Sequence, residues 1–361
     1  MGEGVPVASA GMSDGLGQRA GTGRTSGGRV IARASATATA LVLLAATACG
    51  GDDGDDDASP TTTDDPAAST TETATEPGTP SAADLCEDAT RVESDVRVAD
   101  TELFEVSGIA TSRRNQGVLW AHNDSGGGPD VYAVGEDGAD LGRFRLGGDA
   151  TAVDWEDMTL GPGPQEGVDH LYMGDIGDNR SQRDEVVVYR VVEPQVDAAA
   201  ATADPPADGT IAAVDTLTLT YPDGAHDAET LLSDPVGGDV FVVSKQWDGE
   251  ASGVYRIPAD AAPGAPTVME HVGDVPGVDG QMATSGDIAA DGSLVALRTY
   301  AHVLVWDREP GQTVAEALAG EPCEAPPPSE VQGEALAFTA DGRGYVTVAE
   351  GRVPALNRFH L

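Results

Sequence analysis

The chemistry this chain can offer rests on carboxylates that recur at matched places. Glu156, Glu229 and Glu334 each stand two residues before a central apolar residue, and Glu105, Asp154 and Asp227 each stand four before one. Successive strand side chains point to opposite faces, so both slots share one face. Asp157, Asp175 and Asp287 lie in or beside the same segments. Like charges aimed at one place repel unless they are protonated or neutralised by a cation. Calcium is therefore the expected cofactor, because it is a hard ion that gathers several carboxylate and carbonyl oxygens in adaptable geometry. The competing explanation is that each carboxylate hydrogen-bonds backbone amides at a strand entry, which accounts for any one of them and poorly for all.

Two further features sharpen the picture. The run GDIGDNR, Gly174 to Arg180, packs Asp175, Asp178 and Asn179 together with two glycines, which suits cation binding and equally suits an Asx-rich turn. Lys245 is the only lysine of the chain. With Arg298 at what the repeat spacing makes the equivalent place one unit on, and Arg180 near, Lys245 could hold an anion. An ordinary salt bridge from Lys245 to Glu229 or Asp227 is the alternative.

The elements that must position these groups are repeats. Five times the chain writes an acidic entry, a short apolar run, a turn and a second apolar run, with central residues Ile109, Met158, Leu231, Ile288 and Leu336 at intervals of 49, 73, 57 and 48. Short strands and Gly, Asp and Pro turns at a period near 50 predict an all-β fold, a β-propeller of five blades, or six if the 73-residue interval hides a degenerate one. The first strand of each repeat should be innermost, so its start and the end of the second strand meet at one channel mouth. That mouth would also receive Asp124 and Glu350.

The chain has 61 Asp and Glu against 20 Lys and Arg, a formal charge of -41, which excludes nucleic acid and anionic membrane surfaces as expected partners. Arg19, Arg24, Arg29 and Arg33 precede an uncharged run from Ala34 to Ala48, and Cys49 follows at once. Basic, then apolar, then small is the order of an export signal. It resembles a bacterial lipoprotein signal over 1–48, which implies a lipid-modified Cys49 and a protein anchored to the outer face of the cell membrane. Residues 49–85, rich in Asp, Thr, Pro and Ala, are predicted to be an extended tether, and 86–361 the propeller. In an oxidising compartment Cys86 and Cys323 are expected to pair, clasping a ring closed by an N-terminal strand around Thr90 to Val98.

The sequence lacks a GxSxG elbow, an HExxH helix and a Walker loop, and its six histidines show no zinc spacing. The phrases EVSGIA, NDSG, DWED, GDIGDN, DAET and QGEALAF, from Glu105 to Phe359, resemble actinobacterial secreted proteins with phytase-like or SdiA-regulated-like β-propellers. That resemblance implies a calcium-loaded channel mouth, with Glu156, Glu229, Asp287 and Glu334 as metal ligands and Lys245 and Arg298 as phosphate binders. Against phytases, the chain has five repeats rather than six blades and lacks their DDPAIW-type run. Two functions are therefore expected to compete: a calcium-binding monomer that recognises a small anionic ligand or an envelope protein, and a calcium-dependent phosphoesterase. A lactonase-like hydrolase is a third.

Overall fold

In a computed structural model, each of the five phrases folds into the inner half of an antiparallel sheet. The structure describes residues 78–93, 96–100, 102–196, 208–246, 250–278, 281–330 and 332–361. Cys49, the expected signal and the tether up to residue 77 lie outside the described residues. The first described element is helix α1 (Ala82–Asp88); Ser81 caps it and Leu85 is buried. Strand β1 (Thr90–Glu93) follows.

The first blade is β2 (Val106–Thr111), β3 (Val118–Asn123), β4 (Asp130–Gly135) and β5 (Asp140–Leu146). The second contains β6 (Trp155–Pro162), β7 (Asp169–Asp175) and β8 (Val186–Val192). Strand β9 (Gly209–Ile211) then returns parallel to β5, and β10 (Asp215–Thr220) completes blade two. This excursion explains the 73-residue interval without a sixth blade.

Blade three is β11 (Ala228–Ser233), β12 (Val240–Ser244) and β13 (Ser252–Ile257). Beyond β14 (Thr267–Val268), which pairs with β10, its last strand is β15 (Glu270–Val275). Blade four is β16 (Ala283–Ile288), β17 (Leu294–Thr299), β18 (Val303–Asp307) and, after helix α2 (Val314–Leu318), β19 (Cys323–Ala325). Blade five is β20 (Gly333–Phe338), β21 (Gly344–Ala349) and β22 (Leu356–His360).

Strand β1 pairs antiparallel with β22, Thr90 opposite His360, so the N-terminus supplies the fourth strand of the last blade. The ring is thus closed as the sequence predicts, a five-bladed β-propeller. Cys86 and Cys323 form a disulfide, Cα atoms 6.1 Å apart, joining α1 to the outer strand of blade four.

The first strands β2, β6, β11, β16 and β20 neighbour one another around the axis. Apolar side chains fill the spaces between blades. Trp120, Trp155 and Trp306 are fully buried there, and each indole N–H has an acceptor, on Glu193, Thr151 and Gly320 respectively. A buried indole contributes large apolar area and needs that partner.

The axis itself is closed. Asp157, fully buried on β6, accepts from Met158 N and Ser285 Oγ on one oxygen (2.9 and 3.0 Å), and from Leu231 N and Gly286 N on the other (2.9 and 3.2 Å). It therefore ties blade two to blade three and, across the axis, to blade four. Ser285 Oγ in turn accepts from Leu336 N at 3.1 Å, and Asp287 from Phe338 N at 2.9 Å, tying blade four to five. The strands pack tightly here: a Cβ on Gly108 would lie 2.6 Å from Met158 N, so only glycine fits.

Candidate metal centre

Each innermost strand carries a β-bulge at its entry. The bulged residues are Ser107, Glu156 with Asp157, Glu229, Thr284 and Glu334. A bulge leaves a residue out of the ladder and re-aims its side chain. Three glutamates are thereby turned out of their sheets at one end of the propeller. The bulges also correct the repeat alignment: Gly286, not Ile288, is two residues past the fourth bulge, which makes the last intervals 55 and 50. Counting from the bulges, the residues that follow the second strands are Asp124, Ile176, Lys245, Tyr300 and Glu350. The backbone agrees, since the N–H groups of Asp124, Lys245 and Glu350 donate to the carbonyls of Glu105, Asp227 and Gln332, at 2.8, 2.8 and 3.3 Å.

One carboxylate oxygen from each of Asp124, Asp154 and Glu156 lies within 4.8 Å of the others. Burial, with the charges of Asp154 and Glu350, pushes the Asp124 carboxyl up to about 7. Asp154 is raised by burial. Glu156 is raised well above the usual carboxylate range by burial and by the charges of Glu229, Asp124 and Asp154. Glu334 is pushed up to about 7, mainly by burial.

Glu229 is pushed up to about 8 by burial, against the opposing pull of Lys245. One of its oxygens accepts from the Lys245 ammonium, while Oε2 is buried without a partner, as is Asp124 Oδ1. The ammonium also donates to Tyr300 Oη at 2.8 Å and sits 5.0 Å from that ring's centroid. Orphaned buried carboxylate oxygens beside a trio of repelling acids suit a cation site. The donor set is entirely oxygen, which suits a hard divalent ion. Such a buried acidic cluster could hold a metal ion.

The loop after β7 completes the wall. Gly177 packs so closely that a Cβ there would lie 2.1 Å from Glu156 Oε1 and 2.6 Å from Asp154 Oδ2. Asp178 accepts from Gln182 N and, at 2.6 Å, Arg183 N, while its own N–H donates to Asp227 at 2.8 Å. The GDIGDN run is thus a turn stapled to the next blade.

Of the residues expected to hold metal, the structure brings together Asp154, Glu156, Glu229 and Glu334, with half-buried Glu105 acting on Asp124 through its charge. It places the others in backbone-holding roles. Asp157 seals the axis. Asp175 accepts from Val153 N and Asp154 N at 3.0 and 3.2 Å and pairs with Arg183 at 2.9 Å, as Asn123 holds Phe104 N and Glu105 N in blade one. Asp227 accepts from Asp178 N. Asp287 lies three residues past the bulge, roughly 10 Å down the strand at ordinary rise, half-buried, holding the Ile288 and Phe338 amides and pushed up by desolvation to about 6.

Of the expected anion binders, Lys245 stands at the mouth, while Arg180 is exposed on the outer loop. Arg298 is fully buried and donates to Glu330 at 2.6 Å in the space left by Gly333. The place it was expected to fill belongs to Tyr300. Asp124 and Tyr300 complete the site. Asp124 was visible as the end of a second strand, and Tyr300 would have followed from aligning the AADG and TADG turns of blades four and five.

No protein-family model matches the sequence, and no curated protein matches it. Among solved structures, a gluconolactonase from Xanthomonas campestris, XC5397, aligns over 76% of this chain and 95% of its own at 12% identity and a TM-score of 0.40. A chain of the mitotic checkpoint complex aligns over 70% of this chain and 60% of its own at 13% identity and a TM-score of 0.34.

Proposed function

We propose that this protein is a cell-envelope lipoprotein, anchored through Cys49, whose propeller mouth binds calcium and presents it to an anionic ligand or to another envelope protein. The observation that supports this most is the meeting of Asp124, Asp154 and Glu156 within 4.8 Å beside the orphaned Oε2 of buried Glu229. These four residues would hold the ion, with Glu334 and Glu105 adding negative potential. The ion would supply charge neutralisation and a Lewis-acidic point for a ligand oxygen. Because Asp157 and its neighbours close the axis beneath, a ligand approaches from the mouth alone. Gly78, Thr79 and Pro80 lie beside the β20–β21 turn, at the other end of the propeller from the mouth.

One observation favours hydrolysis as a second reading. Burial pushes the Glu229 carboxyl up to about 8, and Glu229 is hydrogen-bonded through Lys245 to Tyr300, so a carboxyl disposed to keep its proton and a cation stand beside the acid trio. The phosphate clamp implied by the resemblance has lost one arm, since Arg298 is buried on Glu330. Recognition therefore leads. Calcium titration by calorimetry into metal-stripped protein tests the reading: saturable binding, weakened at least tenfold in Glu156→Gln, is the expected result. Absence of binding would sink it. Turnover of phosphate esters or lactones by the loaded protein, lost in Lys245→Ala, would replace recognition by hydrolysis.

A further inference from the structure

At the opposite end of the domain from the acid ring, a cleft of about 590 Å³ opens between blades one and five. Its size falls in the ordinary range of small-molecule sites. Arg113, Arg114, Arg358 and His360 line it, against Glu136 and Asp341. Three guanidiniums facing two carboxylates is an inversion of sign in a chain with 61 acids and 20 bases. Arg358 pairs with Glu136 at 2.6 Å and His360 with Asp341 at 2.9 Å. The other two arginines are less well matched. Arg113 approaches Asp169 only to 3.6 Å and acts on Asp287 through its charge without a hydrogen bond, and the guanidinium of Arg114 donates to the Glu193 carbonyl and the Gln195 amide oxygen, at 3.2 and 3.4 Å.

The turn that presents these two arginines is held rigidly. Glu193, buried at 2% exposure, accepts from Ser112 Oγ, Arg114 N, Asn115 Nδ2 and Trp120 Nε1, and Asn115 Oδ1 accepts from Val196 N at 2.9 Å. Burying a carboxylate is costly unless its oxygens are hydrogen-bonded, and here four donors offset that cost while pinning the turn; fixing a turn in advance lowers the ordering cost of binding. A narrow adjoining pocket shares Thr111, Arg113, Thr339 and Ala340 with the cleft and is lined also by Asp287, so Arg113 borders both.

We infer that this cleft is a second binding site, built for a small molecule bearing a dianionic oxyanion group, a phosphate monoester or a dicarboxylate, received by Arg113 and Arg114. Planar guanidinium forks match such groups in pairs. The site is independent of the mouth and of any metal there.

The experiment titrates the full chain, stripped of metal, with inorganic phosphate and separately with succinate, by calorimetry. Saturable binding of either probe is expected, weakened at least tenfold in the Arg113→Ala/Arg114→Ala variant and unchanged in Lys245→Ala. Preference for phosphate assigns phosphorylated ligands, and preference for succinate assigns dicarboxylates. Gln116→Glu, at an exposed lining position, should weaken binding similarly by charge alone. Failure of both probes to bind, or binding lost in Lys245→Ala and retained in the arginine and Gln116 variants, overturns the proposal.

Discussion

Replacing Asp157 separates the two roles its sequence position allows, metal ligand or seal of the axis. In Asp157→Ala three buried N–H groups, of Met158, Leu231 and Gly286, lose their acceptor, and the Ser285 hydroxyl loses a partner. An orphaned buried donor costs about 1–3 kcal/mol, or about 3–9 kcal/mol for three. The carboxylate's own desolvation, which pushes its pKa well up, is relieved at the same time, so a loss of about 3–6 kcal/mol is expected. That is a large share of the roughly 5–15 kcal/mol by which domains are stable. Asp157→Asn should lose less. Its oxygen can serve Leu231 and Gly286, and its NH2 can donate to Ser285 Oγ, leaving Met158 N–H facing a donor at a cost of about 1–3 kcal/mol. Urea unfolding of the full chain, in chelator and in calcium, measures both. An Asp157→Ala loss below about 1 kcal/mol, or an Asp157→Asn variant that unfolds normally but no longer binds calcium, would refute the seal.

Three further outcomes are expected. Gly177→Ala must displace Glu156 and Asp154, because the new Cβ would fall 2.1 and 2.6 Å from their oxygens; calorimetry should show calcium affinity falling at least tenfold while the unfolding midpoint in chelator changes little. In the metal-free protein, Asp124 and Glu334 at about 7 and Glu229 at about 8 hold protons that the unfolded chain has released. Their contribution is therefore full below about pH 4, is lost as pH rises to about 8, and is constant beyond. Melting temperature in chelator should fall over that window, calcium should flatten the slope, and calcium affinity should drop as pH falls below about 7. Reducing the Cys86–Cys323 bond, which spans 237 residues, should destabilise the domain by roughly 5 kcal/mol on the chain-entropy estimate, measured by unfolding with and without a thiol reductant.

Much of the fold was legible because each repeat states it locally: turn residues and short β-branched runs return at a spacing that only stacked blades satisfy. The clasp was legible from two cysteines and a spare N-terminal strand. What misled was register. Ile288 resembles Leu336 in hydropathy, but the ladder sets Gly286 in its place, and a shift of two keeps every side chain on its face, so alternation cannot detect it. From that shift follow the misplacement of Asp287 and the substitution of Tyr300 for Arg298. Among the acids, sequence identifies those that converge but not those that meet backbone N–H groups. Asp157 and Glu156 are adjacent, yet one looks down the axis at four donors and the other out at three carboxylates, a division made inside the bulge that holds them both.

The bulge also explains why the mouth is lopsided. The backbone distortion is repeated in all five blades, while its side chains are Ser107, Glu156, Glu229, Thr284 and Glu334, so the scaffold is symmetric and the chemistry is not. Asp124, Asp154 and Glu156 gather on blades one and two, and Lys245 and Tyr300 stand on the far side of Glu229, at blades three and four. A cation drawn to the acid trio would sit off the axis, on the side of blades one and two. A ligand bridging from it would then meet the Lys245 ammonium and the Tyr300 hydroxyl. Tyr300→Phe should accordingly leave calcium affinity within about twofold, a difference near 0.4 kcal/mol, and lower the affinity of the loaded protein for an anionic ligand. If instead it abolished calcium binding, the ion would lie near the axis and the off-centre arrangement would be wrong.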